Sequence, residues 1–146
     1  MLEQFASWVE VLRAQASLIP DKVAFTFLAD GDRTAVPLTY RELDEQARAI
    51  AAELALHAAR GARVLLLYPP GLEFIAGFFG CLYAGMVGVP ASPPLTPKAR
   101  ERIDALVRDA DASAALTTMA MRPAFARAQR PRIAVGRTAV HCDGCD

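Results

Sequence analysis

The sequence predicts an α/β fold: a mostly parallel sheet with flanking helices. The first observation behind this is residues 63–90, RVLLLYPPGLEFIAGFFGCLYAGMVGVP. A continuous apolar run at 64–67 reads as a strand buried on both faces, as parallel strands are. Pro69-Pro70-Gly71 stops it, a helix-length apolar segment follows at 72–84, and a second short apolar run lies at 87–89. Strand, turn, helix and strand in that order make a βαβ unit, which crosses over right-handed into a parallel sheet. The second observation is a repeat of the pattern: a helical period at 97–110, then a third apolar run at 114–117.

The elements follow from local chemistry. Residues 2–16 predict an amphipathic helix, with Phe5, Trp8, Val9 and Leu12 on one face and Glu3, Glu10 and Arg13 elsewhere. Ile19-Pro20-Asp21 ends it. Residues 23–28 are rich in β-branched and aromatic side chains and predict a strand. Asp30-Gly31-Asp32 turns the chain, and 34–38 returns as a hairpin partner, with Pro37 indicating an edge position. The clearest helix runs over 39–58. Thr39 caps it while Glu42 reaches back, forming a capping box. Tyr40, Leu43, Ala47, Ile50 and Leu54 share its apolar face, and Arg41, Glu42, Asp44, Glu45 and Arg48 read as a solvated face.

Gly61 fits a turn before the first buried strand. In the helix at 72–84, only Glu73 is charged, in the first turn where the helix dipole favours an anion. Ala76, Gly80 and Ala84 recur at i, i+4 and i+8, a small-residue stripe that lets a backbone approach closely. Glycine costs helix propensity, so a packing reason is expected, and the stripe is expected to face the sheet at Gly80. Residues 90–97 form a proline-rich connector, after which Thr96 and Pro97 predict the cap and first residue of the next helix. Its apolar face is Ala99, Ile103, Leu106, Val107 and Ala110. Thr118 is placed to cap a short helix that Pro123 interrupts.

Composition narrows the function class. The 146 residues suffice for one domain with a sizeable core, and 53% are hydrophobic. The formal net charge is zero, which gives no electrostatic footprint for nucleic acid or an anionic membrane. The Pro-Pro-Gly break leaves no uninterrupted apolar run of roughly 20 residues, so no transmembrane segment is expected. Glu3 and Glu10 interrupt any basic-then-apolar leader, so the chain reads as cytoplasmic. Three cysteines do not make a disulfide framework.

Three stretches give the sequence a family likeness: AFTFLADGD at 24–32, LTYRELDEQARAIAAEL at 38–54, and LLLYPPGLEFIAGFFGCLYAGMVGVPA at 65–91. With RIDALVRDADASAALTT at 102–118, they resemble the fatty-acyl-AMP ligases of the adenylate-forming, AMP-binding enzyme superfamily. LTYRELD marks only the wider superfamily, which includes acyl-CoA synthetases and peptide-synthetase adenylation domains. TFLADG and YPPGLEF…FFGCLYAG mark the acyl-AMP ligase branch. The resemblance covers residues 5–122 and implies the N-terminal part of the large domain of the adenylate-forming enzyme fold. For the full-length enzyme it implies ATP and Mg, a fatty acid activated as its acyl-adenylate, and an acyl carrier protein as acceptor in lipid, polyketide or lipopeptide synthesis.

The family's chemistry has no counterpart here. Adenylation needs backbone N–H groups and hydroxyls around the phosphates, and positive charge to stabilise them. The family's Ser/Thr/Gly-rich loop ending in lysine is absent. Thr117-Thr118 is the nearest pair, but Met119-Ala120 follow. The later Tyr-Gly-x-Thr-Glu-like motif, ribose-binding aspartate and catalytic lysine are absent too. No catalytic, cofactor-binding or metal residue is therefore assigned. Pro69-Pro70-Gly71, Cys81 and His57 read as structural. His141, Cys142 and Cys145 form HCxxC, which supplies one ligand pair where zinc usually takes two. Residues 1–126 are expected to be a partial AMP-dependent synthetase N-terminal domain, and 127–146 an irregular tail, disordered or left by truncation or a shifted frame. The expected function is that of an inactive N-terminal fragment of a fatty-acyl-AMP ligase. The alternatives are a fragment of an acyl-CoA synthetase and a non-catalytic binding module that kept the fold.

Overall fold

The structure, a computed structural model, describes residues 5–31, 33–93 and 95–121. Helix α1 (Trp8–Leu18) leads into the hairpin β1 (Val23–Leu28) and β2 (Ala35–Thr39). Then come α2 (Tyr40–Ala55), β3 (Arg63–Leu66), α3 (Leu72–Tyr83), β4 (Val87–Pro90), α4 (Pro97–Ala110) and β5 (Ala112–Leu116). β1 and β2 form an antiparallel two-stranded sheet, and the other three strands a parallel sheet in the order β4-β3-β5. The expected α/β architecture, parallel sheet and flanking helices are all present.

β3 explains the layering. Its alternate side chains enter two cores. Val64, Leu66 and Tyr68 meet Leu12, Leu43, Ile50, Leu54, Ala76 and Cys81, which belong to α1, α2 and α3. Leu65 and Leu67 turn the other way, with Ala115, onto Ile103, Leu106 and Val107 of α4. α3 and α4 therefore cover opposite faces of the sheet. Burying a leucine side chain stabilises by roughly 1.5–3 kcal/mol, so slipping β3 by one residue would exchange the two faces and misplace every one of these contacts.

Helix ends follow capping rules. The Glu42 N–H donates to Thr39 Oγ1 at 3.3 Å, and the Thr39 N–H donates to the Glu42 carboxylate at 2.8 Å, completing the expected capping box. The Ala99 N–H donates to Thr96 Oγ1, with Pro97 opening α4. α1 begins later than its apolar pattern suggests. Ser7 caps it, accepting from the Glu10 N–H, while the Glu10 carboxylate accepts from the Ala6 N–H. Trp8 is 64% exposed, and Leu12 is the buried residue of α1. Residues 2–4 of the expected helix lie outside the described residues. α2 stops at Ala55 rather than 58, where Leu56 and His57 donate to Glu53 and Leu54 carbonyls in a tightened last turn.

Two expectations about α2 and α3 are corrected. The small stripe does not face the sheet at Gly80. A Cβ built there would lie 2.4 Å from Ile50 Cγ2 and 2.7 Å from Ile50 Cβ, so Gly80 faces α2. The glycine lets two helices touch where side chains would hold them apart; it is Cys81, one residue on, that lies against Gly88 of β4. Nor is the polar face of α2 wholly solvated. The Tyr83 hydroxyl donates to Asp44 Oδ1 at 2.5 Å, and Arg48 donates to Asp44 Oδ2 at 2.7 Å. The guanidinium carbons of Arg13 and Arg48 lie 5.4 and 6.0 Å from the Tyr83 ring centroid. One carboxylate and one phenol thus join α1, α2 and α3. Burial works against the charge of Asp44. The hydrogen bonds from Arg48 and Tyr83, with the charges of Arg48 and Arg13, outweigh it and hold the carboxyl below its ordinary value.

Gly80→Ala should destabilise the chain. Overpacking costs ~1–3 kcal/mol, against a helix-propensity gain of at most ~1 kcal/mol. The cost should shrink in an Ile50→Ala background, while Glu73→Gln on the same helix stays near neutral. Urea denaturation measures all three, and equal costs in both backgrounds would show that Ile50 is not the obstacle.

Asp44→Asn tests the polar junction. A carboxyl whose folded pKa lies below its unfolded value contributes stability above the unfolded value and loses it as pH falls through the folded one. The stability gap between wild type and Asp44→Asn should therefore be widest near neutral pH and narrow as pH drops below about 4. A gap independent of pH would mean that the Asp44 charge contributes nothing.

Candidate functional site

In open α/β sheets, ligands bind at the carboxyl ends of the strands where adjacent connections leave to opposite faces. The order β4-β3-β5 is second-first-third, and in that order the point lies between the first and third strands, here β3 and β5. Residues 67–71 follow β3, 91–93 follow β4, and 117–121 follow β5. Pro69-Pro70-Gly71 and Thr117-Thr118, the two features the sequence singled out beside possible ligand chemistry, thus converge at one end of the sheet.

Hydrogen bonds fasten that rim. The buried Thr117 hydroxyl donates to the Leu67 carbonyl at 2.9 Å, the Leu67 N–H donates to the Leu116 carbonyl at 2.9 Å, and the Ala91 N–H donates to the Leu66 carbonyl at 3.1 Å. Thr117 is therefore committed to holding β5 beside β3. Tyr68, where β3 gives way to the turn, is buried, and among the described residues its hydroxyl has no hydrogen-bond partner. Its ring lies against Gly77, where a Cβ would come within 2.6 Å of it. Burial, with the neighbouring Cys81 and Glu73, raises the phenol well above its usual range. Sequence reading missed this residue, because a tyrosine ending an apolar strand gives no sign of whether its hydroxyl finds a partner.

These residues do not by themselves fit a nucleoside triphosphate. The loops at 67–71, 91–96 and 117–121 contain no lysine or arginine. Pro69, Pro70 and Pro93 carry no N–H. The buried Thr117 hydroxyl on the rim is spent on the Leu67 carbonyl. Such a donor set positions neighbouring chain; it does not neutralise phosphate charge.

Other sequence candidates are dispersed. Cys81 is fully buried against the sheet, and burial pushes its thiol up to about 12, which leaves it protonated at neutral pH. His57 lies past the end of α2 with Nε2 3.1 Å from Glu53 Oε1, far in sequence from the rim. His141, Cys142 and Cys145 lie outside the described residues. Among the described residues no group of three His, Cys, Asp or Glu could hold a metal ion, and no helix is long and apolar enough to cross a membrane. A groove of about 250 Å³ at the start of α1 is lined by Phe5, Ala6, Ser7, Trp8 and Val11, which bring no ionisable side chain.

Comparison with known proteins gives this geometry its context. The family model described as "AMP-binding enzyme" matches residues 12–144. A medium-chain-fatty-acid–[acyl-carrier-protein] ligase of Moorena producens, JamA, is 44% identical over 117 residues, covering 78% of this chain and 20% of that one. A long-chain-fatty-acid–AMP ligase of Mycobacterium tuberculosis, FadD23, is 40% identical over 114 residues, covering 76% of this chain and 20% of that one. A fatty acyl-adenylate ligase from Legionella pneumophila, solved with acyl adenylate and pyrophosphate, superposes with a TM-score of 0.84 at 35% identity, over 93% of this chain and 24% of that one. The chain spans about a fifth of the length of the curated relatives it matches.

The Cys81 environment predicts its reactivity. Iodoacetamide at pH 8 should leave the Cys81 peptide unmodified in the native chain and alkylate it after denaturation. Peptide mass mapping separates it from Cys142 and Cys145, and equal labelling of Cys81 in both states would show that this core is open.

Proposed function

Because this chain belongs to the AMP-binding enzyme family, we propose that it is the N-terminal part of a fatty-acyl-AMP ligase, with residues 1–126 as the partial family domain. The whole enzyme activates a fatty acid with Mg-ATP as its acyl-adenylate and passes the acyl group to an acyl carrier protein. The observation that carries this reading is the 44% identity, over 78% of this chain, to a ligase that charges acyl carrier protein. The chain's own share of the work is scaffolding. It builds the β3/β5 switch point and its rim, and it brings no phosphate-binding loop. A second reading, an acyl-CoA synthetase, has one observation in its favour: a putative fatty-acid–CoA ligase of Mycobacterium bovis, FadD21, is 37% identical over 124 residues.

The 146-residue chain should show no fatty-acid-dependent ATP–pyrophosphate exchange above a boiled control. Residues 5–121 put in place of the matching segment of the Moorena producens ligase should give a chimera that keeps such exchange within about tenfold of the parent, a loss of at most ~1.4 kcal/mol. A folded but inactive chimera, or exchange by the chain alone, would count against the proposal. Acyl transfer to the thiol of coenzyme A rather than of a carrier protein, by the enzyme read from the gene's continuation, would favour the second reading.

A further inference from the structure

The turn at 69–71 stands at the carboxyl end of β3, one of the two strands that flank the switch point. It has little of its own to hold it. Pro69 and Pro70 have no N–H to donate, and Gly71, the N-cap of α3, makes no side-chain cap. Its place is therefore set by the residues before it. Leu67 is tied to β5: its N–H donates to the Leu116 carbonyl, and its carbonyl accepts from the Thr117 hydroxyl, each at 2.9 Å. Tyr68, the next residue, turns to the opposite face, where its ring lies on α3. The ring fits because residue 77 is glycine. A Cβ there would come 2.6 Å from Tyr68 Cε2, 3.0 Å from the hydroxyl and 3.1 Å from Cζ. A stiff ring that is only 6% exposed cannot turn aside from such a contact without carrying its backbone along.

We propose that Tyr68 is a positioning residue for the ligase reaction: its ring, seated in the slot that Gly77 leaves on α3, fixes the 69–71 turn beside the switch point. This rests on the reading of the chain as part of a fatty-acyl-AMP ligase. The ring does the holding, not the hydroxyl. Among the described residues the hydroxyl has no hydrogen-bond partner, and a phenylalanine ring would fill the same slot. The turn carries neither lysine nor arginine, so displacing it takes no charge away from a phosphate. What changes is alignment, and a misplacement of about 1 Å can cost a reaction about a hundredfold in rate.

The contact can be tested apart from any activity. In the 146-residue chain, amide hydrogen exchange over residues 67–72 should quicken in Gly77→Ala and in Tyr68→Leu and stay parental in Tyr68→Phe. Parental protection in both of the first two would overturn the proposal, and so would Tyr68→Phe as labile as Tyr68→Leu. The role in the reaction is read in the chimera that carries residues 5–121, as single-turnover formation of the acyl-adenylate. Gly77→Ala and Tyr68→Leu should each lower the rate constant about tenfold or more, with the adenylate formed per enzyme unchanged, and Tyr68→Phe should keep the parental rate. The Gly77→Ala/Tyr68→Leu double variant should be no slower than the slower single one, because both remove the same contact. Less adenylate formed at a parental rate would show a merely structural residue and overturn the proposal, as would parental rates in both single variants. Tyr68→Leu decides the matter if Gly77→Ala does not fold. An inactive parent chimera overturns the ligase reading, and the role in that reaction with it, while amide exchange still decides whether Tyr68 holds the turn.

Discussion

Val64, Leu65, Leu66 and Leu67 are each at most 2% exposed, so the strand that carries them has to be covered on both faces. That constraint reaches through the whole structure. An apolar residue at every position leaves no polar face to offer water, and a layer must be supplied on either side. α3 supplies one directly after the strand. The right-handed crossover returns the chain as β4, and the next connection must lay α4 on the other face to close the second core. The switch point between β3 and β5, with the rim above it, follows from covering β3.

The first face is covered at two depths. α3 lies on the sheet, and α2 lies on α3 through the contact of Gly80 with Ile50. Glycine at that position costs helix propensity and gains closeness, and closeness lets Ile50, Leu54 and Leu43 enter the same core as Val64 and Leu66. At the margin of this contact the Asp44–Tyr83 hydrogen bond, with Arg48 and Arg13 over the ring, ties α1, α2 and α3 by directional polar contacts. Apolar burial sets how near the helices come, and the polar junction sets where along their length they meet.

The chemistry of the rim supports the proposed scaffolding role. Its Thr117 hydroxyl is consumed in holding strands together, donated to the Leu67 carbonyl. Proline takes the place of N–H donors, and basic charge is missing from the loops. On the proposed reading, groups that bind phosphates come from chain outside these loops. What these residues contribute is a fixed edge against which such groups can be set, and precise positioning of that kind is where much of an enzyme's rate is made or lost.

Much of this was legible in the sequence. Continuous apolar runs marked β3, β4 and β5, because such runs read as parallel strands, but the reading of β4 as a buried strand is corrected: it lies at the sheet edge and Val87 is 52% exposed. Thr39 with Glu42, and Thr96 with Pro97, announced their helices because capping is local hydrogen bonding between residues three apart. Less was legible where partners are distant along the chain. Periodicity placed Trp8 on a buried face and Asp44 on a solvated one, yet Trp8 faces water and Asp44 bonds a tyrosine 39 residues away. The small stripe on α3 foretold a close approach, but not to what. A helix that packs on a sheet and on another helix has two apolar sides, and the sequence of one helix does not say which neighbour lies on which. The sequence determined the elements, their order and their ends, because those rest on contacts within a few residues. Only the tertiary structure decided that Gly80 meets Ile50 and that Tyr68 buries a hydroxyl without a partner among the described residues, because each depends on what lies across space from it.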